Sequence, residues 1–261
     1  MRQAEIFGVV TKYGTAAPDG AYGADAASTR CSDVGVCECD TPAARGGRVI
    51  AAVVFDWGGV LGGLPAGSYA GAEARMSLAP GTFAGLLGLE PYETDHENLW
   101  HRRELGRASA DEWAEWFVAR VAAAGGPQLS ATDMAEMVSR QVSSLALNPI
   151  MLDTATDLRS RGYSLAVCTN NFIETAELCR SALPNDLFDH VVVSCEVGLR
   201  KPDAVMYQHV SQLLAVEPEA TVLLDDFASN IAGARAAGWH GVLVGPNFDA
   251  ARAELEALLQ D

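Results

Sequence analysis

Four short polar segments, each following an apolar run, carry the residue types that phosphoryl transfer requires. In chain order they supply Asp56, Thr169, Asn170, Lys201 and the acidic pair Asp225-Asp226. These are a carboxylate nucleophile, donors for phosphate oxygens, a compact ammonium and acidic ligands for a hard cation. The sequence therefore predicts a phosphoryl-transfer site, provided that the fold brings the four segments together.

Lysine is rare in this chain, which has 16 arginines and only two lysines, Lys12 and Lys201. In a protein that otherwise uses arginine for positive charge, Lys201 indicates a site that demands a compact ammonium. The alternative is an accidental surface lysine. The pair Asp225-Asp226 also has an alternative role, because two acidic residues before Ser229 could cap the start of a helix.

The apolar runs before these segments predict strands buried on both faces of a parallel sheet. The predicted strands are 49–55, 164–168, 190–193, 221–224 and 241–244. Helical patterns lie over 149–160, 173–182, 203–214, 229–237 and 249–259. Asn148 and Pro149 suit the cap and the first position of the helix that they open. This alternation predicts an α/β fold with a doubly wound, Rossmann-like parallel sheet, which binds ligands at the carboxyl ends of its strands.

Residues 66–148 break this alternation. They contain helix-like stretches, most clearly over 111–124 and 131–143, and no convincing strand. We therefore predict an all-helical cap domain, inserted after the first strand, that closes over the site. Residues 49–65 and 149–261 then form the core. Residues 1–48 show no sustained periodicity and are predicted to be a loose N-terminal tail, with a regulatory segment as the alternative.

The four segments, in this order and spacing, resemble the haloacid dehalogenase-like (HAD) superfamily over roughly residues 49–246. The helical insert is similar to that of the subgroup with a helical cap. Three segments also look like those of bacterial sugar-phosphate phosphatases and of the phosphatase domain of some epoxide hydrolases. They are WHRRELG at 100–106, GLRKPD at 198–203 and LDD at 224–226. The resemblance implies a hydrolase that uses Mg²⁺ and acts on a small phosphorylated metabolite, with a sugar phosphate as one candidate.

The resemblance also implies a role for each residue. Asp56 would attack phosphorus and form an aspartyl-phosphate intermediate. Thr169 and the amide of Asn170 would hold the phosphate oxygens, and Lys201 would neutralise charge on the nucleophile and on the phosphoryl group. The Mg²⁺ ligands would be Asp56, the backbone carbonyl of Gly58 and Asp226, with Asp225 in support.

Gly58 departs from the pattern of the superfamily, in which most phosphatases place a general-acid Asp two residues after the nucleophile. A positioned acid contributes about 10²–10⁴-fold in rate. Three explanations stay open. In the first, the leaving group departs with little need for a proton, as that of an anomeric sugar phosphate would. In the second, a cap residue such as Asp95, His96 or His101 supplies the proton. In the third, the protein binds a phosphometabolite or a partner and has lost turnover. A metal-independent dehalogenase is disfavoured by the acidic pair, and phosphotransfer to an acceptor other than water is a further alternative.

The cap should set substrate preference, because the core supplies only generic phosphate chemistry. The candidates for substrate contact are Trp100, His101, Arg102 and Arg103. Either arginine could contact a second anionic group. The alternative for the histidine and for both arginines is that they are only solvated on the outside of a cap helix.

The formal charge of −16 falls almost entirely on residues 49–261, which makes nucleic acid or an anionic membrane a poor partner. No apolar run approaches the ~18 residues of a membrane span, and the first residues lack the pattern of a secretory signal. We expect a cytoplasmic protein, a monomer or homodimer, whose partner is its small-molecule substrate. Cys168 and Cys195 are expected to be buried, reduced thiols.

Overall fold

A single five-stranded parallel sheet forms the centre of the protein. The computed structural model describes residues 49–62, 73–74, 77–88, 98–130, 133 and 147–260. The strands are β1 (Ala52–Phe55), β2 (Ser164–Thr169), β3 (His190–Val193), β4 (Thr221–Asp225) and β5 (His240–Leu243). Their order in the sheet is β3-β2-β1-β4-β5, so that β1 is central. The predicted tail, the predicted helix over 131–143 apart from residue 133, and Asp95 and His96 lie outside the described residues.

Strand β1 begins three residues later than predicted. Ala52 is in register with Ser164 of β2 and with Thr221 of β4, which are the first residues of their own strands. Regular pairing on both sides of β1 therefore starts at Ala52. Val49 lies before this point and is 72% exposed, so its apolar side chain is not part of the sheet core. All four residues of β1 are buried, as expected for a strand covered on both faces.

Helices cover both faces of the sheet and also form the described part of the insert. In chain order they are α1 (Thr82–Leu86), α2 (Leu99–Glu104), α3 (Ala110–Ala123), α4 (Pro149–Ser160), α5 (Ile173–Ala182), α6 (Ser194–Val197), α7 (Ala204–Leu214), α8 (Ala228–Ala236) and α9 (Phe248–Gln260). Helices α4, α5 and α9 pack on one face, and α7 and α8 pack on the other. This confirms the predicted doubly wound α/β architecture. Among the described residues, no helix is both long and apolar enough to cross a membrane.

The residues that flank the predicted insert meet beside the sheet. Asn148 donates its backbone N–H to the carbonyl of Leu61 over 2.7 Å, so the two ends of the connecting segment meet. The side chain of Asn148 then accepts hydrogen bonds from the backbone N–H groups of Ile150 (3.0 Å) and Met151 (3.4 Å). Helix α4 therefore begins at Pro149, as predicted from the cap and proline signals.

The described part of the predicted insert contains helices and no strand, and its aromatic side chains pack in one apolar cluster. Trp113 and Phe117 of α3 lie stacked with their ring centroids 5.2 Å apart. Trp100 of α2 packs edge-on against Phe172, with the ring centroids 4.7 Å apart. Phe172 directly precedes α5 of the core, so this cluster joins the insert to the core close to the carboxyl end of β2.

Candidate active site

Asp56 is held at the carboxyl end of the central strand by a closed loop. It is 6% exposed, and its backbone N–H donates to the carbonyl of Leu224 in β4 over 2.9 Å. The loop then folds back on itself, because Gly62 donates to the Trp57 carbonyl and Gly59 donates to the Gly62 carbonyl, each over 2.9 Å. Gly59 has φ +69°, a left-handed conformation that favours glycine. The position of the predicted nucleophile is therefore fixed by the backbone on both sides.

The ammonium of Lys201 lies between two carboxylates. Its Nζ is 2.9 Å from Oδ1 of Asp56 and 2.5 Å from Oδ2 of Asp225. The side chain of Lys201 is completely buried, which rules out the alternative of a surface lysine. A buried ammonium is tolerated only when it is paired in this way.

The side chain of Asn170 fastens the backbone of Lys201 to the end of β2. Its Nδ2 donates to the Lys201 carbonyl over 2.8 Å, and its Oδ1 accepts from the Lys201 backbone N–H over 2.9 Å. Asn170 directly follows Thr169, the last residue of β2, which is buried. The predicted contacts of Thr169 and of the Asn170 amide with phosphate stay predictions. The two hydrogen bonds between the Asn170 side chain and the Lys201 backbone were not predicted from the sequence.

Asp225 is saturated with hydrogen bonds. Its Oδ1 accepts from the backbone N–H of Phe227 (2.8 Å) and from Nδ2 of Asn230 (2.9 Å). Its Oδ2 accepts from Lys201 and, over 3.1 Å, from the same Asn230 amide. The helix-capping alternative is not confirmed: the N-cap residue of α8 is Phe227, and the N–H that Asp225 accepts from is that of Phe227 itself, before the first turn of the helix. Sequence reasoning missed Asn230, although its place in the first turn of α8, five residues after Asp225, was a usable signal.

The acidic side chains form a cluster that suits a hard divalent cation. Carboxylate oxygens of Asp56, Asp225 and Asp226 all lie within 4.8 Å of one another. Every one of these donors is an oxygen, which is the ligand type that Mg²⁺ takes. Asp226 is half-buried, whereas Asp225 is fully buried and already bound to Lys201 and Asn230. Asp56 and Asp226 are therefore the better candidates for direct ligands, and Gly58 follows Asp56 within the same closed loop.

Burial controls the charge of Asp56. Burial, opposed by the nearby ammonium of Lys201 and reinforced by the carboxylate of Asp225, raises the pKa of Asp56 to about 7. Burial alone would lower the pKa of Lys201, but Asp225 and Asp56 more than offset this effect, so that its pKa lies well above the usual value. Lys201 therefore stays cationic, while a further cation would favour the ionised form of Asp56.

The predicted substrate-contact residues of α2 differ in exposure. His101 and Arg103 are buried, so the alternative that they are only solvated is wrong; Arg102 is exposed, as that alternative expects. The guanidinium of Arg103 lies 4.0 Å from the centroid of the Phe172 ring, and its Nη2 donates to Glu174 over 3.2 Å. Helix α2 packs against the aromatic cluster on one side and against the start of α5 on another. More than one of its faces is therefore covered.

The buried thiols are as predicted. Cys168 and Cys195 are free and buried, and Cys179 shares this state. Burial raises the pKa of Cys168 to about 12 and that of Cys179 to about 11, so these thiols stay protonated near neutral pH and are poor nucleophiles.

The chain is similar in sequence to several known proteins. The family profile of haloacid dehalogenase-like hydrolases matches residues 50–238. Ribulose-1,5-bisphosphate 5-phosphatase of Halopiger xanaduensis is 30% identical over 212 residues, which cover 75% of this chain and 85% of that protein. Mouse acyl-CoA dehydrogenase family member 10 is 31% identical over 219 residues, which cover 82% of this chain. The chain spans only 20% of the length of that mouse protein and 37% of mouse bifunctional epoxide hydrolase 2.

Solved structures share the fold at lower identity. A HAD family enzyme of Bacteroides thetaiotaomicron, in complex with magnesium and inorganic phosphate, is 18% identical with a TM-score of 0.51, over 76% of this chain and 96% of that one. The L-2-haloacid dehalogenase of Xanthobacter autotrophicus is 20% identical with a TM-score of 0.53, over 80% and 83% of the two chains. The extent of the family match decides the assignment: the chain belongs to the haloacid dehalogenase-like hydrolases.

Proposed function

We propose that this chain is a magnesium-dependent phosphomonoester hydrolase that acts on a small phosphorylated metabolite through Asp56. The observation that carries the proposal is the placement of the Lys201 ammonium between Asp56 and Asp225, with the carboxylate of Asp226 in the same cluster. The relative from Halopiger xanaduensis is named a phosphatase, which supports phosphate chemistry at this site.

The charges at the site favour phosphate chemistry with a metal over dehalogenation without one. Three carboxylates face a single ammonium, so the ionised cluster is net negative. A dianionic phosphoryl group cannot approach such a cluster unless a cation screens it. The dehalogenases of the family use an Asp nucleophile without a metal. Their reaction therefore has no use for the additional carboxylates of Asp225 and Asp226 as metal ligands.

In the proposed reaction, a carboxylate oxygen of Asp56 attacks phosphorus while the bond from phosphorus to the leaving oxygen breaks. Water then hydrolyses the aspartyl phosphate and regenerates the carboxylate. The Thr169 hydroxyl and the Asn170 amide would donate to the phosphoryl oxygens, and Lys201 would stay paired with Asp56 during attack. Bound Mg²⁺, held by Asp56, Asp226 and the Gly58 carbonyl, would supply charge neutralisation.

Gly58 supports a second candidate, a family member that binds a phosphometabolite and turns it over slowly or not at all. With no acid at position 58, protonation of the leaving oxygen has no source in this loop.

An anomeric sugar phosphate releases a better leaving group than a simple alkyl phosphate and would tolerate this loss. The substrate class that we favour is therefore a sugar phosphate of this kind.

The test is a panel of sugar and metabolite phosphates assayed for phosphate release with Mg²⁺ and with EDTA. We expect release that EDTA abolishes and that added Mg²⁺ restores, because the phosphoryl group needs the screening cation. Two outcomes contradict the proposal: phosphate release that persists in EDTA, or halide release from 2-haloacids without metal. Substrate binding without any turnover would favour the second candidate.

The affinity for Mg²⁺ should rise with pH between 6 and 8. Burial raises the pKa of Asp56 to about 7 in the metal-free protein, so below that pH a proton occupies a predicted metal ligand. Mg²⁺ must displace this proton, which lowers the apparent affinity by up to about tenfold for each pH unit below the pKa. Titration calorimetry in two buffers of different ionisation enthalpy measures the protons released. An affinity that does not change with pH, without proton release, would contradict this account.

A further inference from the structure

A buried ion pair joins the insert to the residue next to Lys201. Arg200 donates from Nε (2.9 Å) and from Nη2 (2.6 Å) to Oε2 of Glu104, the last residue of α2. Arg200 is 1% exposed and Glu104 is 4% exposed, and 96 residues separate them in sequence. The carboxylate that pairs with Arg200 therefore comes from the insert, while Arg200 and Lys201 belong to the core.

The backbone of Glu104 is also tied to the core. Ser194, the first residue after β3, donates its hydroxyl to the Glu104 carbonyl over 2.6 Å. The same hydroxyl accepts from the backbone N–H of Asn171, just beyond β2, over 2.9 Å. The end of α2 is thus bonded to the segments that follow two strands of the sheet.

Gly106 allows this close approach. It has φ +70°, and a Cβ at this position would lie 2.5 Å from the backbone carbonyl oxygen of Cys195. Any larger residue would push the end of α2 away from the segment that begins at Ser194. The segment 100–106, noted above for its resemblance to sugar-phosphate phosphatases, therefore contains docking contacts as well as candidates for substrate contact.

The buried Glu104–Arg200 pair should contribute little to the free energy of unfolding and more to fixing the position of the Arg200 side chain. Removing two charges from water costs several kcal/mol per ion, and their attraction often does no more than repay that cost. Such a pair does, however, allow only one arrangement, because either charge without its partner would be buried alone. Here that arrangement fixes the side chain of Arg200, while Asn170 fixes the backbone of Lys201.

We propose that Glu104 is a positioning residue that, through Arg200, holds the Lys201 ammonium between Asp56 and Asp225. The position of the ammonium then depends on the docking of α2, so the insert affects chemistry at the core as well as access to it. The effect on turnover rests on the proposed phosphatase function, whereas the effect on Lys201 itself does not.

The first experiment observes Lys201 without any turnover. Because the chain contains only two lysines, protein labelled with ¹³C-lysine gives two sets of side-chain NMR signals, and Lys12→Arg assigns them. We expect Glu104→Gln to shift or broaden the Lys201 signals and to leave those of Lys12 in place. The matched control is Glu196→Gln, which removes the carboxylate of the more exposed ion pair between Arg180 of α5 and Glu196 of α6. This control should leave the Lys201 signals unchanged.

A second variant guards against loss of folding. Glu104→Asp keeps the charge and shortens the side chain by one methylene, so it should fold and produce a smaller change in the Lys201 signals. If either folded Glu104 variant gives Lys201 signals identical to those of the wild type, the inference is wrong. Signals that also change in Glu196→Gln would overturn it too, because the effect would then not be specific to Glu104.

Kinetics on the best substrate of the panel provide the second readout. We expect Glu104→Gln to lower kcat by about tenfold or more and to change KM less than about threefold, because a misplaced ammonium affects the reacting group more than binding. Glu104→Asp should restore part of kcat, and Glu196→Gln should match the wild type. Equal kcat in wild type and Glu104→Gln would overturn the coupling to turnover. If the wild type hydrolyses no phosphate ester, the proposed function fails, and the NMR result still decides the positioning role.

Discussion

Asp56→Asn should reduce metal-dependent phosphate release by at least about 10³-fold, because it removes the attacking oxygen while other parts of the site still bind substrate. The fold should persist. Lys201 keeps its contact with Asp225, and the loop that holds residue 56 is closed by backbone hydrogen bonds that the substitution does not touch. Phosphate release measures the first effect, and circular dichroism with thermal unfolding measures the second.

The intermediate gives a more direct test of Asp56. When wild-type protein is quenched in acid during turnover, the peptide that contains Asp56 should carry the added mass of one phosphoryl group, and the Asp56→Asn peptide should not. Asp153→Asn is the matched control, because it makes the same chemical change on the exposed side of α4 and should leave both readouts as in the wild type. Phosphate release that survives in Asp56→Asn would rule out the proposed nucleophile.

Gly58→Asp should increase turnover by about 10²-fold or more on alkyl phosphates and change it little on aryl phosphates. The new carboxyl group could protonate the leaving oxygen, and only a poor leaving group needs that proton. The loop has room for the side chain: apart from its chain neighbours, no heavy atom of the described residues lies within 4 Å of a Cβ at position 58, and φ there is not positive. The measurement is kcat/KM over a series of esters that differ in leaving-group pKa.

Gly58→Asn is the control for this gain, because it has nearly the same shape and no acidic proton. It should behave like the wild type across the series. An equal gain for Gly58→Asn, or an equal gain of Gly58→Asp on alkyl and aryl esters, would show that acid assistance is not the cause. A sharp gain from a nearly inactive wild type would favour the candidate function in which this chain mainly binds its phosphometabolite.

The fold was predictable wherever the signal was local. The strand from 190 to 193 and the helix from 149 to 160 have the predicted bounds, because a short apolar run and an Asn-Pro cap each determine structure over a few neighbouring residues. The start of β1 was not predictable in this way. It depends on where β2 and β4 begin, more than 100 residues away in the chain.

The site, like the fold, has features that the sequence predicts and features that depend on distant residues. Asp56, Lys201 and Asp225 could be placed together from sequence, because the carboxyl ends of parallel strands share one edge of a sheet. The Asn170 side chain and the Lys201 backbone that it binds are 31 residues apart in sequence, and Glu104 and Arg200 are 96 residues apart. Each is a choice of partner among many polar residues, which no local periodicity encodes. For the same reason the burial of Arg103 was missed, since it depends on Phe172 of the core.

The hydrogen bond between Asn148 and Leu61 has a consequence for how such a protein can diversify. Because a 2.7 Å hydrogen bond between the Asn148 N–H and the Leu61 carbonyl joins the two ends within the core, part of the entropy cost of closing the segment between them is offset there. That cost grows slowly, by about 0.6 kcal/mol for each doubling of loop length. Segments of very different length and sequence can therefore be accommodated at this junction without disturbing β1 or α4. Recombination or design could therefore exchange the inserted segment while Asp56, Lys201 and Asp225 of the core keep their positions.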